Sequence, residues 1–347
     1  MHVLARLLGV ELPILQAPMA GVQAGALAAA VSGAGGLGAI PCAMLGADAV
    51  RREVAFVRER TSAPFNLNFF CHATPAPDAD REARWRAVLA PYYEELGLDP
   101  DTTVSAAARA PFDERGAELV ETLRPAVVSF HFGLPSPELL ARVRSAGAFV
   151  VSSATTVDEA RWLDARGVDA IVAQGAEAGG HRAMFLTGDV STQMGTFALV
   201  PQVVRAVRVP VIAAGGIADA DGVAAAMRLG ASGVQLGTSF LLCPEATTST
   251  VHRAALSSDG ARETALTNLF SGRPARGIVN RLMRDLGGIS AVAPEFPLAS
   301  AALAPLRAAA EGAGRGDFSP LWAGQNASGC LAQPAAAITR ALAGAES

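Results

Sequence analysis

Residues 169–182 read DAIVAQGAEAGGHR, an apolar run followed by a glycine-rich loop that ends on a histidine and an arginine. The apolar run predicts a strand over 169–173. Gly179 and Gly180 allow the backbone to approach a flat or anionic ligand closely, and His181 adds a group that exchanges protons near neutral pH. This stretch is typical of an active-site loop at the carboxyl end of a strand.

Two further loops follow short apolar runs in the same way. Gly215 and Gly216 come after 211–214, and Gly237 and Thr238 come after 233–236. In a (β/α)8 barrel the loops after the seventh and eighth strands usually hold a phosphate group, and catalytic groups come from neighbouring strand ends. The pattern predicts a cofactor that carries a phosphate.

Apolar runs alternate with helix-like stretches from the N-terminus to about residue 240. The segment 156–166, for example, has apolar residues at helical spacing. Gly147, Gly167 and Gly230 each end such a stretch, as a left-handed helix cap would. Eight strands with helices between them predict an α/β fold, a (β/α)8 TIM barrel. The predicted strands are 13–16, 37–40, 65–69, 126–130, 148–152, 169–173, 210–214 and 233–237.

The alternation breaks in two places. Residues 71–124 are too long for a simple crossover and contain several prolines, which indicates an excursion from the barrel. From 245 to about 312 no strand-like run recurs, and pieces such as 276–286 have helical composition. We therefore expect a cofactor-binding barrel domain over 1–244, a small helical lid over 245–312, and a return to the barrel over 313–347.

The composition excludes several classes of function. All 28 basic residues are arginine, so Schiff-base chemistry, pyridoxal phosphate anchoring and a Walker A lysine cannot occur. The net charge of −4 and the scattered arginines argue against a nucleic-acid partner. No run of 18 residues is free of charged or turn residues, so we expect no membrane partner. Small molecules are the expected partners, and the sequence leaves monomer and homodimer open.

The N-terminus and the cysteines both favour the cytoplasm. Residues 1–9 lack the basic segment, long apolar stretch and cleavage site of an export signal. Cys42, Cys71, Cys243 and Cys330 lie far apart without a C-x-x-C pair, which fits neither a zinc site nor a disulfide framework. We expect a reducing compartment and no metal.

Two of the histidines follow predicted strands. An isolated histidine is more often a core residue with its hydrogen bonds satisfied, but His181 lies beyond two glycines and His131 ends the fourth strand. Both strand ends point to one barrel face, so the two side chains are expected to meet in one pocket. The remaining three, His2, His72 and His252, are expected to be solvated.

Other residues at strand ends are candidate ligand contacts. Asn68 and Gln174 offer amides that both donate and accept hydrogen bonds, although turn capping is an equal alternative. Met19, after the first strand, is either core packing or a soft contact for a flat ring. The letters of 33–38 match a dinucleotide fingerprint, but they follow a helix and precede a strand, so a structural turn is the preferred interpretation.

Together these residues resemble the nitronate monooxygenase family, formerly called 2-nitropropane dioxygenases, which are FMN-containing TIM barrels. The resemblance covers nearly the whole chain, and its combination of motifs is specific. The matching segments are 12–19 (LPILQAPM), 66–68 (NLN), 179–182 (GGHR), 214–217 (AGGI), 235–238 (QLGT) and 322–325 (WAGQ).

The resemblance implies FMN as cofactor and assigns roles by position. His181 matches the catalytic base of the family. His131 matches its substrate-facing histidine, which is expected to bind the nitronate oxygens, more strongly when it is protonated. The flavin phosphate is assigned to Gly215, Gly216, Gly237 and Thr238. The isoalloxazine contacts are assigned to Met19, Asn68, Gln174, Gly179 and Gln235, with Ala17 and Gly180 beside them.

The implied reaction oxidises an alkyl nitronate, such as propionate 3-nitronate, or a nitroalkane with O2 to a carbonyl compound and nitrite. Two alternatives stay open. One is an NAD(P)H-dependent FMN enzyme on the same fold, either a quinone reductase or an enoyl-acyl carrier protein reductase. The other is a flavin-binding protein without turnover. His131 favours nitronate oxidation, because the resemblance places that histidine in the nitronate branch and not among the quinone reductases.

Overall fold

The apolar runs form an eight-stranded parallel sheet at the centre of the molecule. The structure is a computed structural model that describes residues 3–100, 102 and 109–344. The barrel strands, in chain order, are β1 (Ile14–Gln16), β2 (Gly38–Pro41), β3 (Phe65–Phe70), β4 (Val127–His131), β5 (Phe149–Ala154), β6 (Ala170–Gln174), β8 (Val211–Ala214) and β9 (Gly233–Leu236). The short strand β7 (Gly180–His181) lies outside the barrel.

The sheet curls into a barrel because its two edge strands meet. The order around the sheet is β1-β9-β8-β6-β5-β4-β3-β2, and every neighbouring pair is parallel. Leu15 of β1 bridges Leu37 beside β2, and the Leu37 amide donates to the Ile14 carbonyl at 2.9 Å. This confirms the predicted (β/α)8 barrel, and each predicted strand ends within two residues of an observed one.

Most helices connect the strands and cover the barrel. The others precede the first strand or follow the last barrel strand. They are α1 (Val3–Leu8), α2 (Gly25–Gly33), α3 (Ala47–Arg60), α4 (Ala79–Glu95), α5 (Glu114–Leu123), α6 (Pro137–Ser145), α7 (Val157–Ala165), α8 (Thr196–Ala206), α9 (Ala220–Arg228), α10 (Thr250–Leu256), α11 (Arg281–Leu286), α12 (Ala299–Gly312) and α13 (Ala335–Leu342). The prediction over 156–166 is confirmed by α7. Within the described ranges, no helix has the length and apolar character needed to cross a membrane.

The helix ends predicted at three glycines are confirmed as well. Gly147, Gly167 and Gly230 have φ of 89°, 74° and 101°, the left-handed conformation of a helix C-terminus. The glycine-rich stretch 33–38 is a turn between α2 and β2, where the Gly36 amide donates to the Val31 carbonyl at 3.1 Å.

The segment 245–312 differs from the helical lid expected there. It contains β10 (Thr264–Thr267) and β11 (Ala275–Ile278), which pair antiparallel with each other, and β11 also pairs with β7. The piece 276–286, expected to be helical, is divided between β11 and α11. Sequence periodicity missed these strands because each has only four residues and carries threonine, arginine or glycine. The proposed domain division itself stays a prediction.

The excursion helix and the C-terminal segment share a second hydrophobic core. Trp85 of α4 donates to the Ala299 carbonyl at 3.2 Å, and the Tyr93 hydroxyl donates to the Ala302 carbonyl at 2.6 Å. Leu303, Leu306 and Phe318 complete this core. The excursion therefore fixes α12 and the tail beside the barrel.

Candidate active site

One large cleft opens at the carboxyl ends of the barrel strands. Its volume, including the open mouth, is about 1400 Å³, and pockets of several hundred Å³ already hold drug-sized ligands. The structure brings all the predicted site residues together in its lining: Ala17, Met19, Asn68, His131, Gln174, Gly179, Gly180, His181, Gly215, Gly216, Gln235, Gly237 and Thr238.

The turns after β8 and β9, residues 215–216 and 237–238, form a group of backbone N–H donors, the anion cradle. Gly215 and Gly216 have φ of 118° and 72°, which turn the backbone sharply after β8. A Cβ on Gly237 would lie 3.3 Å from the Met19 sulfur, so glycine keeps this approach open. The backbone N–H groups of Gly216, Gly237 and Thr238 have no acceptor within the described part of the chain. Free backbone N–H groups at such turns are typical of a phosphate site.

The C-terminal tail closes the cradle from outside. The Gly324 amide donates to Thr238 Oγ1 at 2.9 Å, and the Asn326 side chain donates to the Gly216 carbonyl at 3.0 Å. A Cβ on Gly179 would lie 2.5 Å from the Ala323 carbonyl carbon, so the His181 loop and the tail are in close contact. The tail thus links the cradle to the histidine loop.

The His181 loop is held by β11 and by buried polar side chains. Ala275 pairs with His181 and Arg276 with Gly180. Arg182 is fully buried and donates to the Gln174 and Gly175 carbonyls, both at 2.7 Å. Because these bonds satisfy the guanidinium, Arg182 fixes the loop and is not a ligand contact.

The Gln174 amide serves this loop more than the sequence suggested. Its Nε2 donates to the His181 carbonyl at 3.0 Å, and its Oε1 accepts from the Ala183 amide at 2.9 Å. One N–H of Nε2 remains for a ligand. Asn68 is similarly engaged, since its Nδ2 donates to Ser129 Oγ at 2.9 Å. Both amides line the cleft, and both also order its walls.

The His181 ring is neutral, and its tautomer follows from its neighbours. Ser271 Oγ donates to the Arg273 carbonyl at 3.4 Å, so Oγ accepts from His181 Nε2–H at 2.8 Å. This assignment makes Nδ1 the basic nitrogen. Nδ1 has no partner in the described residues and is not sealed from solvent. Burial, followed by the positive charge of Arg109, holds the pKa of His181 well below its usual range.

His131 contacts the backbone of the His181 loop. Its Nε2 lies 3.3 Å from the His181 carbonyl oxygen, which can only accept, so Nε2 carries the proton. Burial and then the charge of Arg273 lower the pKa of His131 to about 3. Both observations favour a neutral ring, and binding of a nitronate by His131 stays a prediction.

Two histidines predicted to be solvated are buried. His72 is 6% exposed and packs 4.8 Å from the Phe296 ring, and His252 is 3% exposed. His252 Nε2 donates to the Trp322 carbonyl at 3.1 Å, and the residue lines the cleft. The prediction failed because contacts with residues distant in sequence, Phe296 for His72 and Trp322 for His252, bury both side chains and leave no local signature. His2 lies outside the described residues.

Sequence reasoning also missed several residues around the cleft. Phe70 ends β3, as strand-end logic could have shown, whereas Arg109 lies in a loop with no periodic signal. An aromatic wall surrounds the His181 ring: its centroid lies 5.2 Å from the Phe296 ring, 5.6 Å from the Trp322 ring and 6.1 Å from the Phe132 ring. The cleft lining contains no aspartate or glutamate among the described residues.

The fold and the cleft define the class of protein, a (β/α)8-barrel enzyme with an anion cradle beside a neutral histidine. The family model described as nitronate monooxygenase matches residues 2–338. A nitronate monooxygenase of Paraburkholderia phytofirmans is 43% identical over 341 residues, which cover 97% of this chain and 92% of that protein. The chain therefore belongs to the nitronate monooxygenase family.

Solved structures give a similar picture. The nitroalkane oxidase from Streptomyces ansochromogenes has a TM-score of 0.87 and 38% sequence identity, with 98% of this chain and 96% of that chain covered. FabK from Thermotoga maritima has a TM-score of 0.71 and 29% identity, with 99% and 94% covered.

Proposed function

We propose that this protein is an FMN-dependent nitronate monooxygenase. Its reaction oxidises alkyl nitronates, such as propionate 3-nitronate, with O2 to a carbonyl compound and nitrite. The observation that carries the proposal is the composition of the cleft. Among the described residues its lining has no carboxylate, and it combines the anion cradle with the neutral imidazole of His181. Such a cleft suits an anionic substrate and an anionic cofactor together.

The residues present fit FMN. The free N–H groups of Gly216, Gly237 and Thr238 would hold one phosphate, at the barrel position where phosphates usually bind. Gly215 would complete that turn. The flavin ring would lie against the lining residues Ala17, Met19, Asn68, Gln174, Gly179, Gly180 and Gln235. When bound, FMN supplies the electron transfer between substrate and O2.

His181 is proposed to take the α-proton of a neutral nitroalkane. Its Nδ1 has no hydrogen-bond partner among the described residues, and Ser271 holds the ring through Nε2. A neutral imidazole is the form that accepts a proton. Formation of the nitronate anion then favours the imidazolium that results, because opposite charges lie close together in a cleft shielded from water. A nitronate supplied as the anion bypasses this step.

His131 is proposed as a positioning residue. Together with Gln174, it donates to the His181 carbonyl, so both side chains fix the backbone of the catalytic loop. We further propose that the enzyme works in the cytoplasm, where its four free cysteines stay reduced.

A reductase that uses NAD(P)H is the second candidate, because the resemblance in sequence leaves that alternative open on the same fold. Anaerobic mixing with NADH and, separately, with propionate 3-nitronate distinguishes the two. We expect flavin bleaching with the nitronate and, in air, nitrite formation, and mass spectrometry should identify the released cofactor as FMN. Bleaching by NADH alone would point to a reductase, and bound FMN with no reaction to a flavin-binding protein.

A further inference from the structure

We propose that Arg109 is a specificity residue that binds a second anionic group on the substrate. The enzyme would then prefer nitronates that carry a carboxylate at the end opposite the nitronate group. The inference rests on the proposed function and assigns the residue that selects among nitronates in the same cleft.

Arg109 lines the cleft, and among the described residues its guanidinium makes a single hydrogen bond, from Nη1 to Ser300 Oγ at 3.5 Å. No carboxylate of the described residues lies within 4.0 Å of it. A guanidinium carries five N–H donors, and a partly buried cation without an anion is costly. A ligand anion would satisfy it.

Two other inward-facing arginines of this chain, Arg182 and Arg253, each make several hydrogen bonds that hold backbone. Arg182 donates to two carbonyls and to Gln193 Oε1. Arg253 donates to four carbonyls at 2.8–3.1 Å. These side chains hold backbone in place. Among the described residues, the Arg109 guanidinium donates to no backbone carbonyl.

Arg109 lies near the reacting group. Its Cζ is 5.8 Å from the centroid of the Phe296 ring, and the same ring is 5.2 Å from the His181 ring. The charge of Arg109 also contributes to lowering the pKa of His181, second only to burial. A short substrate held at His181 can therefore reach the guanidinium along the Phe296 ring.

The cofactor phosphate does not compete for this arginine. The cradle lies at the ends of β8 and β9, whereas the Arg109 segment is tied to β3, because the Phe112 amide donates to the Phe70 carbonyl at 2.7 Å. In the barrel order, β3 and β8 are opposite each other. A phosphate in the cradle would leave Arg109 free for the substrate.

A carboxylate is the group that suits this geometry. Guanidinium binds carboxylates through paired, charge-assisted hydrogen bonds, and Arg109 has free N–H groups to offer. A nitronate with a terminal carboxylate would place one anion at Arg109 and the other beside the flavin. A simple alkyl nitronate has only the latter.

The kinetic test compares propionate 3-nitronate with propyl nitronate in the FMN-loaded enzyme. In Arg109→Met, the KM for propionate 3-nitronate should rise about 10- to 100-fold, the loss expected for a hydrogen bond to a charged group. The KM for propyl nitronate and both kcat values should change less than about threefold. Arg109→Lys, which keeps the charge, should recover part of the loss. Arg307→Met, outside the cleft, is the matched control.

A binding test decides the inference without turnover. Succinate and butyrate have similar length but carry two charges and one charge, and calorimetry gives the affinity of each for the FMN-loaded protein. The wild type should prefer succinate by roughly tenfold, and Arg109→Met should lose that preference. An unchanged preference, or equal KM effects on both nitronates, would overturn the inference. Absence of nitrite from either nitronate would reject the proposed function alone.

Discussion

His181 is held from both sides, so its replacement tests proton abstraction with little disturbance of the loop. His181→Asn should keep FMN and lose activity with neutral nitroalkanes by a factor of about 10² or more, typical of a missing general base. Activity with preformed nitronate should fall much less, because that substrate has already lost its proton. Steady-state nitrite assays on both substrates measure the difference.

The pH profile follows from the same residue. Because the pKa of His181 is lowered in the folded protein, the ring stays unprotonated well below pH 6.5, and activity should not fall on acidification through that value. Equal losses on both substrates in His181→Asn would assign the residue to binding and not to proton abstraction.

Ser271 sets which nitrogen of His181 is basic. The residue is 1% exposed, and in Ser271→Ala the Nε2–H loses its acceptor, so the proton can occupy either nitrogen. Turnover of nitroalkanes should fall roughly 2- to 10-fold, the value of one hydrogen bond, while nitronate oxidation stays unchanged. Ser271→Thr, which keeps the hydroxyl, should restore activity.

The control for Ser271 is Ser258→Ala, which removes an exposed hydroxyl bonded to the Ala255 carbonyl. If Ser271→Ala slows both substrates equally, Ser271 supports the fold and not the tautomer.

At this scale the sequence predicted which residues meet, but not the protonation states of their rings. His131 and His181 follow strands, and strand ends converge in a barrel, so their meeting was predictable. The states of their rings depend on Ser271, Arg109 and Arg273, which come from distant segments. No local pattern contains that information.

At the scale of elements, the β6–β7 loop and the tail are in close contact beside the cleft. In Gly179→Ala the new Cβ would lie 2.5 Å from the Ala323 carbonyl carbon, so one of the two segments must move. The adjacent Gly324 amide bonds to Thr238, so the shift should disturb the phosphate cradle. We expect at least tenfold weaker FMN binding and a loss of about 1–3 kcal/mol in the free energy of unfolding.

Fluorescence titration of FMN and urea unfolding measure these two effects. The matched control is Gly188→Ala, where nothing lies within 4 Å of the added Cβ. Wild-type FMN affinity in Gly179→Ala would show that the tail and the cradle are not coupled.

Strand β7 was not predicted because the sequence contains no local signal for it. Strand β7 has two residues and is defined only by its pairing with β11, so its formation depends on long-range contact. The barrel strands, in contrast, have apolar runs and glycine turns that are visible locally. His181 depends on both kinds of element, because barrel strand β6 precedes its loop and strand β11 pairs with it.

At the scale of the whole molecule, the barrel was predictable because eight apolar runs alternate with helical segments and the rules for parallel sheets leave few topologies. The second core was not. It joins Trp85 and Tyr93 of the excursion to α12, which lies about two hundred residues away in sequence. His72 and His252 are likewise buried by residues distant in sequence, Phe296 and Trp322.

Buried histidines make the stability of the whole molecule depend on pH. Burial lowers the pKa of His72 and of His252 to about 4, whereas in the unfolded chain these groups titrate near 6.5. Between these values the unfolded chain binds more protons than the folded one. The stabilisation is therefore complete above about pH 6.5 and is lost progressively as the pH falls towards about 4.

Urea unfolding of the FMN-saturated protein at about pH 7, 6 and 5 should show this loss, at up to about 1.4 kcal/mol per pH unit for each buried histidine. His252→Gln removes one titrating group and keeps a donor for the Trp322 carbonyl, so its free energy of unfolding should depend less steeply on pH. The comparison is made at saturating FMN because cofactor binding itself stabilises the folded state. Equal slopes for His252→Gln and the wild type would show that His252 is not kept neutral by folding.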